Sequence, residues 1–401
     1  MKPSRIVIHD YSGHSFLRQF STELARRGHE VLHVFSTSLP STPQGTLHRL
    51  PTDPPTLHLA GVDLGYKIQK QSFAKVFFHD EPRHAEKAIQ LIREFRPDYV
   101  AGANTPPKIL TALQRYCWES AIPFVFWSQD LYGEAARRIL PEKLGFAGKL
   151  AGDYLHRLEH TLFRRSGAII VISDDFRPYL PKCNVPVTTI ENWAPLEELP
   201  PQPRQNPWSD RHGLSDTLNL IYSGTLGLKH NPELLVKVAQ AQAGRREVRV
   251  VVISQGAGMD YLTTRKEELG LDNLVLLPFQ PFPELPQVLA SADVLCAILE
   301  PDAGVFSVPS KVLSYLCAGR ALLLGVPPEN LASRIVAGQK AGEVVNPTDE
   351  AAFVAAADRL LSDHEGRVAM GQAARSYAER TFDVQAICAR FEEVLVGAQR
   401  R

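Results

Sequence analysis

The chain has few cysteines, no long apolar run and no surplus of either charge, and each shortage removes a class of protein. Cys117, Cys183, Cys296, Cys317 and Cys388 are odd in number and widely spaced over 401 residues. That pattern fits reduced thiols in a core better than a disulfide scaffold or a zinc site, and points to the cytoplasm. No uninterrupted apolar stretch reaches the roughly 18 residues that a spanning helix needs. Residues 1–5 lead into a strand without a signal-like apolar region, so any membrane role is expected to be peripheral. Lys plus Arg and Asp plus Glu both number 44, with no block of like charge, so nucleic acid is not an expected partner. Low-complexity tracts and short-period repeats are lacking too.

What is present is ordinary globular usage, 44% hydrophobic and 22% charged, over a length suited to two domains. The N-terminal half alternates strand and helix patterns. Strands are predicted at 5–9, 30–35, 99–103, 123–127 and 168–172, with helices at 15–27, 83–95, 108–120 and 153–165. The stretch 193–216 is crowded with prolines and polar residues and reads as a hinge linker. The alternation then restarts, with strands at 218–222, 248–253, 274–277, 294–298 and 321–325, and closing helices at 350–362, 365–380 and 384–397. The expected fold class is α/β with two Rossmann-like, doubly wound domains. Residues 1–200 form the first, 201–216 the linker, 217–380 the second, and 381–401 a C-terminal helix able to pack back toward the first. In such sheets ligands bind beyond the carboxyl ends of the strands.

The most informative segment opens the second domain. From Leu218 to Tyr222 an apolar run ends in Ser223-Gly224-Thr225, followed by Lys229 and a helix start near Asn231. A strand that ends in small residues and opens a helix offers unpaired N–H groups and a positive dipole end to a phosphate. A second helix start at Pro309-Ser310-Lys311 follows the strand 294–298, with Ser310 expected to cap it; two helix N-termini converging on one diphosphate is one reading, and two ordinary strand-to-helix loops without a ligand is the other. In the first domain, Tyr11-Ser12-Gly13-His14 occupies the first strand-to-helix loop, where Gly13 is expected to let the backbone approach the donor phosphates. Trp127-Ser128-Gln129-Asp130 closes a later strand. His14 is open to reading as a loop histidine, and Asp130 as either an acceptor base or a helix-cap residue.

In order and spacing these segments resemble glycosyltransferase family 4, retaining nucleotide-sugar transferases with the GT-B fold, and especially bacterial members that build capsule, O-antigen or colanic-acid-type exopolysaccharide. The likeness is carried by 24–31 (LARRGHEV), Leu158-Glu159 ahead of 168–173, 190–193 (IENW), Tyr222-Ser223-Gly224 with Lys229, 273–281 (NLVLLPFQP), and Pro309-Ser310-Lys311 before Ala318-Gly319-Arg320. It implies two domains facing each other across a cleft that closes on a donor in the second and an acceptor in the first. It implies that Lys229 contacts the donor diphosphate, stabilising the charge on the leaving group. Thr225 stands where many members carry arginine, and Lys311 is a second candidate cation. Phe279 and Gln280 match the loop that reads the base, and Glu300 matches the first of two paired glutamates. Ser314 replaces the second, which binds ribose in the family. Gln129 stands where relatives place a histidine, with Asp130 beside it and His14 nearby on the acceptor side.

The expected substrates are a UDP- or GDP-sugar and a saccharide or lipid-linked saccharide. No acidic pair with DxD spacing flanks the donor loops, so no metal or other cofactor is expected. Basic and apolar residues mix at 137–165 and at 67–78, which suits an anionic membrane surface; an ordinary amphipathic helix with its leucines in the core is the other reading. A nicotinamide enzyme is disfavoured because residues 10–16 hold a single glycine. A nucleotide-sugar 2-epimerase and a non-catalytic sugar-nucleotide-binding subunit remain as alternatives.

Overall fold

Runs of aliphatic residues buried on both faces make the central strands of this protein, the pattern of parallel sheets covered by helices on either side. In the first strand, β1 (Arg5–Asp10), Ile6, Val7 and Ile8 have no exposed surface. The computed structural model describes residues 1–39, 47–68, 73–226, 230–299 and 308–400. They divide into two compact units, Met1–Asn192 with Asp383–Arg401, and Trp193–Phe382.

The first unit contains α1 (Ser15–Arg26), β2 (Glu30–Ser36), β3 (Leu57–Val62), α2 (Phe73–Lys75), a π-helical turn at Val76–Asp80, and α3 (Glu81–Phe95). It continues through β4 (Tyr99–Ala103), α4 (Pro107–Glu119), β5 (Phe124–Ser128), α5 (Tyr132–Arg165), β6 (Ala168–Val171) and β7 (Val187–Thr189). Its seven strands are all parallel in the order β3-β2-β1-β4-β5-β6-β7. The order reverses between β1 and β4, which opens a crevice at their carboxyl ends.

The second unit begins with α6 (Pro207–Arg211) and β8 (Leu218–Ser223), then α7 (Glu233–Ala241), β9 (Val248–Ile253), α8 (Ala257–Leu269), β10 (Leu274–Leu277), α9 (Leu285–Ala290) and β11 (Val294–Ile298). It continues with α10 (Ser310–Ala318), β12 (Ala321–Gly325), α11 (Leu331–Gly338), β13 (Gly342–Val345), α12 (Glu350–Ser362) and α13 (His364–Thr381). The strands are parallel in the order β10-β9-β8-β11-β12-β13, with the reversal between β8 and β11. The chain then returns to the first unit as α14 (Val384–Gly397). There Glu392 takes a two-pronged hydrogen bond from Arg27 at 2.8 Å in each arm, and Phe391 stacks on Trp127. No helix of the described residues is long and apolar enough to cross a membrane.

Two expectations change. Residues 193–216 are not a free hinge but belong to the second unit: Trp208 is wholly buried, Asn206 and Ser209 form a capping box on α6, and Arg204 bonds Asp293 and the Ser215 carbonyl. The segment lacks periodicity because side-chain-to-backbone hydrogen bonds, rather than an apolar face, hold it. The helix expected at 153–165 is the second half of α5, whose backbone breaks at Gly145 (φ 56°, ψ −132°). Close approach of the halves leaves no room for side chains in the seam. A Cβ on Gly152 would lie 2.9 Å from the Arg137 Cα, and one on Gly133 2.6 Å from the His156 Cα. α5 is therefore a helical hairpin.

Candidate functional site

In the second unit, the residues expected on the donor side follow the carboxyl ends of β8 and β11. Gly224 has φ +136°, a conformation that disfavours a side chain, and a Cβ there would meet Lys311 Cε at 3.1 Å. Lys311 reaches this turn from the first turn of α10. Its ammonium donates to the Tyr222 hydroxyl and to the Thr225 carbonyl at 3.2 Å, and lies 3.9 Å from the centre of the Tyr222 ring. No carboxylate pairs with it among the described residues. Burial therefore pulls its pKa down to about 7. Tyr315, also on α10, clamps the end of β8 by donating to the Ser223 carbonyl and accepting from the Ser223 N–H, both at 2.9 Å.

Ser310 and Ser314 lie on α10 one turn apart, Ser310 exposed and Ser314 half-buried. Ser310 does not cap the helix: the N-cap is Pro309 and no side chain caps it, because Ser310 is already in helical register. Phe279 and Gln280 follow β10, two strands from β8, or about 10 Å along the sheet. The Gln280 side chain is committed to structure, accepting from Trp208 Nε1 at 3.0 Å and donating to the Pro278 carbonyl at 2.8 Å. Lys229 and Glu300 lie outside the described residues.

In the first unit, β1, β4 and β5 converge on a second constellation. The turn after β1 is pinned by Asp10, whose carboxylate accepts from the His14 backbone N–H and lies 3.0 Å from His14 Nδ1. The Asn104 amide, just past β4, reaches the same nitrogen at 3.0 Å. Burial opposes charge on His14, but Asp10, with a contribution from Asp130, outweighs it and raises the pKa above the ordinary value. Gly13 has φ +70°, and the Leu47 side chain fills the space a Cβ would need.

A pocket opens beside these residues, lined by Asn104, Thr105, Gln129, Asp130, Tyr132 and Glu159 among others. Gln129 is buried, and its amide nitrogen has no hydrogen-bond partner among the described residues. A buried N–H of that kind calls for a ligand or water. Glu159 accepts from the Gly133 N–H at 3.1 Å, and burial pushes its pKa up to about 7 against that bond. Behind Thr105 runs a buried relay. Thr105 Oγ1 donates to the Ala103 carbonyl at 2.6 Å, so it accepts from His9 Nδ1 at 2.9 Å; His9 Nε2 then accepts from His84 Nε2 at 3.0 Å. Burial holds both imidazoles neutral, His84 at about 3, so the relay fixes the pocket floor in one tautomer.

The structure thus groups His14, Gln129 and Asp130 in one unit, and Gly224, Thr225, Ser310, Lys311 and Ser314 in the other. Gly13 belongs to the first unit, apart from the other donor-side residues. Sequence reasoning missed Asp10, Asn104, Tyr132 and Tyr315. The first two stand at the carboxyl ends of strands, a signal available from the strand pattern. Tyr315 is set by tertiary packing alone.

Residues 14–198 match the model of Glycosyltransferase Family 4, and residues 205–377 match that of Glycosyl transferases group 1. A GDP-mannose-dependent alpha-(1-6)-phosphatidylinositol monomannoside mannosyltransferase of Mycolicibacterium smegmatis is 27% identical over 221 residues. That match spans 51% of this chain and 57% of the relative, so little more than half of its length is represented. Among solved structures, sucrose-phosphate synthase from Thermosynechococcus elongatus superimposes with TM-score 0.73 at 15% identity, covering 97% of both chains. Anabaena HepE in complex with UDP-glucose gives TM-score 0.70 at 15% identity, covering 98% of this chain and 99% of that one. Two parallel-sheet units and two family models that follow one another along the sequence lead to one assignment: the chain belongs to glycosyltransferase family 4 and has the GT-B fold.

Proposed function

We propose that the chain transfers a sugar from a UDP- or GDP-sugar to a saccharide acceptor carried on a lipid, in the synthesis of a bacterial surface polysaccharide, with retention of anomeric configuration. The observation that carries the donor half is Lys311. It is a half-buried cation that no carboxylate among the described residues pairs with, at a positive-φ glycine turn on the reversal point of a parallel sheet. Such a group gains most from an anion that restores its charge. The diphosphate would rest against the Gly224 turn and the α10 N-terminus. Lys311 and, by the family resemblance, Lys229 would neutralise the charge that grows on the leaving group without a metal.

On the acceptor side, Asp130 is the proposed base or orienting group, with Gln129 donating to a sugar hydroxyl and His14 held in place by Asp10. The mannosyltransferase relative acts on a phosphatidylinositol mannoside, which favours a lipid acceptor, and HepE holds UDP-glucose. The proposed location is the cytoplasmic face of the membrane, with peripheral attachment. The test is nucleoside diphosphate release from a panel of UDP- and GDP-sugars, with and without a lipid extract as acceptor. Transfer predicts release that depends on the extract for one donor. Epimer formation without release would point to the 2-epimerase reading, and binding without either to a sugar-nucleotide-binding subunit.

A further inference from the structure

The α5 hairpin carries its least soluble side chains at the point farthest from its roots. Leu144 is 61% exposed, Phe146 75% and Leu150 57%, on either side of the Gly145 break. Phe146, Leu150 and Tyr154 recur at every fourth position and so share one face of the second half. Phe78, 73% exposed on the π-helical turn, joins this surface through Phe77, whose ring lies 5.0 Å from Phe78 and 6.0 Å from Tyr154. The glycine seam keeps the hairpin narrow, so these residues form a projection rather than a groove.

Charge around the tip is mostly positive, with Glu142 beside Lys143 as its one acidic neighbour. Residues 137–157 hold five Lys and Arg against two Asp and Glu in a chain of zero net charge. Arg137 pairs with Asp153 and Arg138 with Glu134, both lower on the hairpin, whereas Lys143 and Lys149 flank the apolar tip. An apolar point with lysines beside it and an aromatic residue behind it matches the depth profile of a bilayer: acyl chains, anionic headgroups, interface.

We propose that the α5 hairpin inserts tip-first into an anionic lipid bilayer, with Leu144, Phe146 and Leu150 entering the acyl region and Lys143 and Lys149 meeting the headgroups. This goes beyond charge attraction along 137–165, since Arg137 and Arg138 are already engaged within the hairpin. It rests on the proposed lipid acceptor only for its purpose.

The test uses the full chain and vesicles of phosphatidylcholine, with and without phosphatidylglycerol, at low and high salt. Wild type is expected to bind the anionic vesicles and to keep part of that binding at high salt. Leu144→Ser/Phe146→Ser/Leu150→Ser is expected to lose at least about tenfold in partitioning, with unchanged thermal unfolding because the three side chains are exposed. Phe146→Trp should show blue-shifted emission quenched by brominated acyl chains. The proposal is overturned if the serine variant binds like wild type, or if salt releases wild type completely. It is equally overturned if wild type ignores vesicles and instead self-associates through the tip. Nucleoside diphosphate release with detergent-dispersed acceptor separates the two readings: the serine variant should retain it, whereas its absence from wild type as well would count against the transferase reading and leave the vesicle result intact.

Discussion

Lys311 is held where burial disfavours its charge, and that cost points to a ligand. With its pKa pulled down to about 7, the folded protein holds no proton on this group between about pH 7 and the ordinary lysine value near 10.4, while the unfolded chain does. Its contribution to stability therefore rises with pH across that window, and the full burial cost is present below it. Lys311→Met should raise Tm by about 2–4 °C at pH 7, the scale of 1 kcal/mol for a unit of this size, with the gain fading toward pH 10. The same change should cut donor turnover by roughly 10² or more. Above pH 7, nucleotide binding to wild type should take up a proton, measurable by calorimetry in buffers of different ionisation enthalpy. A stability gain with undiminished turnover would remove Lys311 from the donor site.

On the acceptor side, Asp130→Asn should lower kcat by roughly 10²–10⁴ if Asp130 takes the acceptor proton. Gln129→Ala should mainly raise the acceptor KM if its amide nitrogen, which has no hydrogen-bond partner among the described residues, binds the acceptor rather than reacting with it. Steady-state kinetics with the acceptor varied at saturating donor distinguish the two; equal effects on kcat from both would deny the division of roles.

At the scale of elements, α10 joins the Gly224 turn to the expected ribose position. Ser314 is half-buried on the helix that bears Lys311. Ser314→Glu should tighten nucleotide binding by about 1 kcal/mol through a charge-assisted hydrogen bond. Loss of folding instead would make Ser314 a packing residue. The central strands were legible in the sequence because burial on both faces leaves long aliphatic runs: β4, β9, β11 and β12 were predicted to the residue, as was the edge strand β10, whose LVLL run is wholly aliphatic. The strands that escaped, β3, β7 and β13, all lie at sheet edges, where partial exposure dilutes the apolar pattern. The hairpin form of α5 escaped for another reason. Its signal is a set of glycines whose role depends on which backbone lies opposite. Of the candidate site, the turn at Gly224 was legible from its glycine. The buried His9–His84 relay and the Tyr315 clamp join residues distant in sequence and leave no local pattern.

At the scale of the molecule, α14 returns to the first unit and packs against the strand that leads into its pocket. Phe391 stacks on Trp127 on the strand that ends just before Gln129 and Asp130. The Arg27 hydrogen bond, foremost, with His29 adding to it, holds Glu392 at about 2 despite burial. A depressed carboxylate pKa gives stability that is present above the ordinary glutamate value and lost as pH falls from about 4.3 toward 2. Glu392→Ala should cost about 2 kcal/mol at pH 7, a Tm drop of about 4–8 °C that shrinks below pH 4. A Tm unchanged at neutral pH would show that the ion pair contributes nothing to anchoring the helix.

The claim that joins these scales is transfer of a sugar from a nucleoside diphosphate to a lipid-borne saccharide, and mass spectrometry of the acceptor tests it most directly. Lipid-linked saccharides incubated with the protein and each of a panel of UDP- and GDP-sugars should gain the mass of one sugar with one donor. An equal quantity of free nucleoside diphosphate should appear, and the gain should be absent with Lys311→Met. Acceptor masses unchanged with every donor, while the donor binds or is converted to its epimer, would contradict the account.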